Sequence, residues 1–401
     1  MTISTSQAPA TGGSLRGLMP ALANKTYFNY GGQGPLPTPS LEAIVACWRE
    51  IQELGPFAEA VWPLVNRTTS QLRLRLAEVF GAGPHRIAFT ENVTSGCVLP
   101  LWGLPWRPGD EILLGDAEHP GVVAACHELA RREHLSLASF PVTQLRDDPA
   151  STDAGVLEAL ERALGPRTRL VVLSHLLWNT GQVMPIAAVA DRLRDHPAHP
   201  WLLVDAAQSL GSLPLAEAAH AADIYAGTGH KWCCGPEGLG AVLLSERTLA
   251  EARPTLIGWR TLADETMSGS RFHGDARRFE VATSCTPLFA GLDRSLSLLE
   301  AEGTAEQRLA RIRHLSGRLW QGLQQLPGVR PLLEVPPPAG LVSFTLPGMD
   351  PAQVVKRLGE QTIWLRKLAD PACLRACTHV TTTEEEVDRL LAALAELIAS
   401  A

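Results

Sequence analysis

The chain reads as an α/β protein, with a large domain on a mostly parallel sheet followed by a smaller α+β domain. Three observations predict this. Short β-rich runs alternate with helical stretches between about residues 85 and 244. Beyond about residue 300 the alternation gives way to one long amphipathic helix and a few strands. A length of 401 residues leaves room for one large core and a smaller one. On these signals residues 1–20 form a flexible tail, 35–295 the large domain, and 21–34 with 296–401 the small domain.

The elements follow in order. Strands are expected over Arg86–Thr90, Glu111–Leu114, Leu135–Phe140 and Leu170–Ser174, with helices near 121–133 and 155–164 between them. A helix near 186–195 leads into the apolar run Trp201–Asp205, and Ala222–Ala226 and Leu239–Leu244 close the series. The small domain begins with a helix over 304–326 and continues with strands at 341–346 and 363–368 around another helix. The last helix opens at Thr383 with Glu386 three residues on, a capping-box pattern, and presents Leu390, Leu391, Leu394 and Ile398 on one face.

Composition narrows the function classes. A net charge of −7 argues against a nucleic-acid partner. The eight cysteines are dispersed without paired CxxC motifs, and no histidine cluster has zinc spacing, so reduced thiols and no metal are expected. The first twenty residues carry no continuous apolar core, which predicts neither a signal peptide nor a membrane span and points to a cytoplasmic protein.

The most informative segment is Gly227–Gly240, which sets Lys231 among small residues directly after an apolar run. Desolvation there lowers a lysine's pKa, as a Schiff-base amine requires. Upstream, Asp205 ends a buried strand, where open α/β sheets bind ligands. A lysine for an aldehyde and an acid for a pyridinium nitrogen are what pyridoxal phosphate needs. Other segments fit such a site, each with a plainer alternative. Thr94 and Ser95 open an apparent helix and suit a phosphate or an ordinary cap. His119 stands at a strand end, to stack on a ring or to serve structure alone. Asn179 offers an amide or forms a turn. Thr283 offers a hydroxyl within a charged loop.

In this order the segments resemble the fold-type I pyridoxal-phosphate enzymes of the class V aminotransferase family, over nearly the whole chain. The resemblance implies pyridoxal 5'-phosphate as cofactor, Lys231 as the residue bonded to its aldehyde and Asp205 as its pyridinium partner. It implies Gln208 and Asn179 at the ring hydroxyl, His119 stacked on the ring, and Thr94, Ser95, Thr228 and His230 around the phosphate. It further implies a homodimer in which Thr283 reaches the neighbouring subunit's site.

Two branches of that family compete. Cysteine desulfurases carry a nucleophilic cysteine on a mobile loop between two arginine-bearing strands. Here eight residues separate Arg366 from Arg375, too few for a long excursion, and Cys373 falls on the same strand face as Arg375. The short connection, with Asn29–Gly34 and Ile257–Arg260, is similar to the cysteine/cystine C–S lyases. By that likeness Asn29, Trp259, Arg366 and Arg375 meet the substrate, a sulfur amino acid. The expected reaction is β-elimination from L-cystine or L-cysteine to pyruvate, ammonia and a sulfide or persulfide, with a persulfide acceptor as a further partner. A desulfurase releasing alanine, an aminotransferase and a non-catalytic relative remain alternatives.

Overall fold

Residues 14–147, 149–264, 266 and 271–400 are described by the structure, a computed structural model. The chain enters through β1 (Thr26–Tyr27), α1 (Thr38–Leu54) and α2 (Trp62–Phe80). It continues with β2 (Ile87–Thr90), α3 (Val93–Trp102), β3 (Glu111–Gly115), α4 (Pro120–Glu133), β4 (Ser136–Phe140), α5 (Pro149–Ala163) and β5 (Thr168–Ser174). Next come α6 (Ile186–Asp195), β6 (Trp201–Asp205), α7 (Ala216–Ala221), β7 (Ile224–Thr228), β8 (Gly240–Leu244), α8 (Glu246–Glu251) and α9 (Thr286–Glu300). The remainder is α10 (Ala305–Gln324), β9 (Arg330–Pro331), β10 (Leu341–Thr345), α11 (Pro351–Glu360), β11 (Ile363–Trp364), β12 (Arg366–Ala369), β13 (Ala372–Cys377) and α12 (Glu384–Ala399).

Seven strands form one sheet in the order β2-β8-β7-β6-β5-β3-β4, and only β8 runs antiparallel to its neighbours. Its strands are apolar on both faces because helices cover both. Val171, Leu173, Leu202, Val204 and Tyr225 enter one core, whereas Leu170, Val172, Trp201, Leu203 and Ile224 enter the other. Four strands in the order β12-β13-β10-β9 form a second, antiparallel sheet. Its own core draws Leu319 and Leu323 from α10, Val354 and Leu358 from α11, and Leu390 and Leu394 from α12. The capping box at Thr383 and Glu386 forms as its spacing predicts.

The structure corrects the tail at its inner end. Residues 1–13 of the expected tail lie outside the described residues. From Ser14 on, two short turns bury Leu15 and Met19, and Arg16 pairs with Glu386 at 2.8 Å, which ties the segment to α12. The helices α1 and α2 are an addition to the elements read from the sequence. Each buries one helical stripe and leaves further apolar residues exposed, Leu41, Val45 and Trp48 at helical spacing on α1 and Trp62 and Leu74 on α2. Among the described residues no helix is long and apolar enough to cross a membrane.

Candidate active site

The site lies at the C-terminal edge of the parallel strands, where ligand crevices of open α/β sheets occur. Asp205 is the last residue of β6, and β7 runs beside it in parallel with Asp205 opposite Ala226. Three residues past β7 the chain reaches Lys231. The Asp205 carboxylate is buried and accepts a hydrogen bond from the Ala207 N–H at 2.8 Å. Among the described residues it forms no ion pair. Burial brings the Lys231 amine down to about 8; Asp205 opposes that shift, and Arg375 and Arg366 add to it. Asp205 thus lies close enough to Lys231 at this edge to influence its charge.

His119 caps α4, its Nδ1 accepting from the Gly121 N–H at 3.2 Å. The ring stands edge-on to Trp178 at 5.6 Å and remains exposed. Desolvation of its packed part lowers the imidazole pKa, as do Lys231 and Arg366, while Asp205 pulls it up. Across the edge, Asn92 caps α3 and takes the Ser95 N–H at 3.0 Å. The sequence reading gave cap and phosphate roles to Thr94 and Ser95 alike; with Asn92 as the cap, their hydroxyls sit in the helix's first turn beside it. Thr228 is fully buried and bonds His230 Nδ1 through its hydroxyl at 2.8 Å.

Gln208 and Asn179 are both buried but already engaged. Gln208 Nε2 donates to the Gly31 carbonyl and its Oε1 accepts from Trp232 Nε1, each at 2.9 Å. Asn179 Oδ1 accepts from the Thr180 N–H at 2.9 Å, and its carbonyl accepts from the Ser343 hydroxyl at 2.6 Å.

The second sheet supplies the opposite wall. In the antiparallel pair β12–β13, Arg366 lies directly opposite Arg375, so both project from one face. Arg366 is exposed, whereas Arg375 is 1% exposed. Arg375 Nη1 donates to the Trp178 carbonyl at 2.7 Å, but its Nε and Nη2 are buried without partners. Asn29 Oδ1 is likewise buried and unpartnered. A guanidinium stripped of water and left half-bonded is costly unless a ligand completes it. The loop bearing Asn29 must be glycine-rich. A Cβ on Gly31 would come within 2.9 Å of Arg375 Nη2 and of Gln208 Oε1, and one on Gly34 would stand 2.1 Å from the Lys231 carbonyl.

Two of the expected residues stand apart from this cluster. Trp259 Nε1 donates to the Thr283 hydroxyl at 3.2 Å, and Trp259 packs edge-on against Trp62 on an exposed face. Cys373 sits on β13 with Arg375, 1% exposed, and burial pushes its thiol up to about 11. The sequence analysis missed His379, Tyr30 and Glu118, all buried near the cluster; only their tertiary partners mark them. Among the described residues no cluster of His, Cys, Asp or Glu is placed to hold a metal.

Pyridoxal phosphate fits these residues. A buried carboxylate without a counter-ion, a desolvated lysine, and hydroxyls at a helix N-terminus are the groups that hold it. Comparison with known proteins agrees. A solved complex of the cystine C–S lyase C-DES with cysteine persulfide superposes with a TM-score of 0.90 at 47% identity, over 94% of this chain and 99% of that one. A C-DES mutant with glycine covalently linked to its PLP cofactor gives 0.89 at 46% identity, over 95% and 99%. Isopenicillin N epimerase of Streptomyces clavuligerus is 32% identical over 91% of this chain and 93% of its own. The aminotransferase class-V family model matches residues 64–390, so the chain belongs to that family of pyridoxal-phosphate enzymes.

Proposed function

We propose that this enzyme catalyses β-elimination on a sulfur amino acid, cystine before cysteine, releasing pyruvate, ammonia and a persulfide or sulfide. The observation that carries the reading is the hairpin β12–β13. Its strands pair without interruption from Arg366 opposite Arg375 to Ala369 opposite Ala372, leaving two residues for the turn. No mobile loop can carry a thiol to the substrate, and Cys373 is a buried, protonated packing residue. A desulfurase needs that nucleophile; an eliminating enzyme does not.

Lys231 would hold the cofactor aldehyde, Asp205 its ring nitrogen, His119 its exposed ring face, and Thr94, Ser95, Thr228 and His230 its phosphate. Asn179 and Gln208 would border the ring hydroxyl through whatever donor or acceptor capacity their existing bonds leave. When bound, pyridoxal phosphate supplies an electron sink for the pair left at the substrate Cα. Arg375 takes the substrate carboxylate on Nε and Nη2, and so orients the Cα–H bond. Lys231, neutral at modest cost because burial has lowered its pKa, removes the Cα proton. Sulfur then leaves Cβ with the bonding pair, and water hydrolyses the three-carbon enamine that results to pyruvate and ammonia; a persulfide leaves more readily than a thiolate because its anion is more stable. Asn29 and the exposed Arg366 face the far end of the substrate. Exposed apolar residues on α1 and α2 support a homodimer, in which Trp259 and Thr283 would meet the neighbouring subunit's site.

The likeness to isopenicillin N epimerase favours a second reading, racemisation at Cα, which shares the first proton transfer. The deciding experiment incubates cofactor-loaded protein with L-cystine and L-cysteine and assays pyruvate, alanine and D-amino acid together. Pyruvate is expected. Alanine as the main product would make it a desulfurase, and inverted amino acid without pyruvate would make it an epimerase.

A further inference from the structure

Beside Lys231 runs a chain of buried hydrogen bonds, three of whose members, His379, Thr381 and Tyr30, have no part in the proposed chemistry. His379 follows β13 by two residues and is fully buried, with its ring stacked on Tyr30 at 4.3 Å and 13°. Its Nε2 lies 3.0 Å from the Trp232 carbonyl, which can only accept, so Nε2 carries the proton. Burial lowers the imidazole to about 4, so at neutral pH Nδ1 is an acceptor. It takes the Thr381 hydroxyl at 2.9 Å, and that oxygen accepts from the Tyr30 hydroxyl at 2.6 Å. Onward, Trp232 Nε1 donates to Gln208, and Gln208 donates to Gly31. Every bond thus has a single direction, from Tyr30 to the Trp232 carbonyl and from the Trp232 indole to the Gly31 carbonyl.

The route joins three parts of the site. Trp232 follows Lys231 directly, Gly31 lies against Arg375, and His379 continues the strand that bears Arg375. We propose that His379 is a positioning residue, holding the Trp232 carbonyl so that the Lys231 loop stays locked in place against the Arg375 strand. The inference rests on the reading of Lys231 as the cofactor lysine. Loosening the lock would admit more water to the Lys231 nitrogen, which is half-buried and within electrostatic reach of Asp205, Arg375, Arg366 and Cys377. A better-solvated nitrogen holds its proton to higher pH.

The test uses holoenzyme and two substitutions. His379→Phe keeps the stack on Tyr30 and loses both hydrogen bonds, whereas His379→Gln keeps a donor for the Trp232 carbonyl. The pH midpoint of the bound cofactor's visible absorbance reports the proton on Lys231. The Phe variant is expected to raise that midpoint by about half a unit and to lower kcat about tenfold at nearly constant KM, with Gln restoring most of both. A Phe variant with an unmoved midpoint and kcat overturns the proposal, as do equal losses in both variants, the mark of packing alone. Should the Phe variant not fold, Thr381→Val decides: a smaller shift in the same direction supports the lock, and none refutes it. A Lys231→Ala protein that kept the visible band would instead sink the underlying reading, whatever the His379 variants do.

Discussion

The Lys231 edge of the large sheet and the arginine hairpin of the small sheet face each other, but their polar groups are satisfied to different degrees. On the large sheet Asp205, Gln208, Asn179 and Thr228 are each anchored by hydrogen bonds within the chain. On the hairpin side, two buried nitrogens of Arg375, Nε and Nη2, and the side-chain oxygen of Asn29 nearby find no hydrogen-bond partner among the described residues. A permanent guest needs a rigid, preorganised cradle. A transient one is best met by groups whose missing bonds only it supplies, since the energy of completing them is then released on binding. The difference suggests which wall serves the cofactor and which the substrate.

Five substitutions break or sharpen that contrast. Lys231→Ala is expected to abolish the cofactor's visible band and to cut turnover by about 10³-fold or more, read by spectrum and pyruvate assay. Arg375→Met should lower kcat/KM by about 100-fold while leaving the band intact, because the hairpin side does not hold the cofactor. Arg366→Met, at an exposed and unpaired position, should cost about tenfold, mostly in KM. If the two arginines matter equally, burial is not what ranks them.

Glu118 tests the large-sheet side. Its carboxyl accepts from the Ser174 N–H at 2.8 Å and hydroxyl at 2.7 Å, and burial raises it from 4.5 to about 8. The folded chain therefore binds a proton that the unfolded chain releases above 4.5, so this group makes stability fall as pH rises from 4.5 to 8. Glu118→Gln should flatten that slope and add up to about 3 kcal/mol at pH 7, measured by urea unfolding at pH 5 and pH 8. The smallest effect is expected of Cys373→Ser, with elimination activity within about twofold, since the proposed elimination needs no thiol nucleophile. Collapse of turnover with folding preserved would overturn that assignment.

Much of this was legible in the sequence, for identifiable reasons. Asp205 and Lys231 could be paired because apolar strands fix their direction and end abruptly, and parallel strands deliver their C-terminal residues to one edge. The short spacing of Arg366 and Arg375 foretold a tight hairpin. Other features depend on partners distant in the chain. Gln208 reads as a free amide until Trp232 and Gly31 are seen to occupy it, and the unequal burial of two arginines on one face of the β12–β13 hairpin has no local signature. The helix α1 does carry a local signal, since Leu41, Ile44, Val45 and Trp48 recur at helical spacing, although it is not among the elements read from the sequence.

One strand runs against the grain of the large sheet. Because β8 returns antiparallel to β7, with Thr228 opposite Gly240, the segment bearing Lys231 is closed at its base by its own flanking strands. Such a pairing is of low contact order and can form before distant parts of the sheet assemble. The base of the lysine's loop is then set by a local event in folding, whereas Arg375 and His379 close against it only once the distant small sheet has docked.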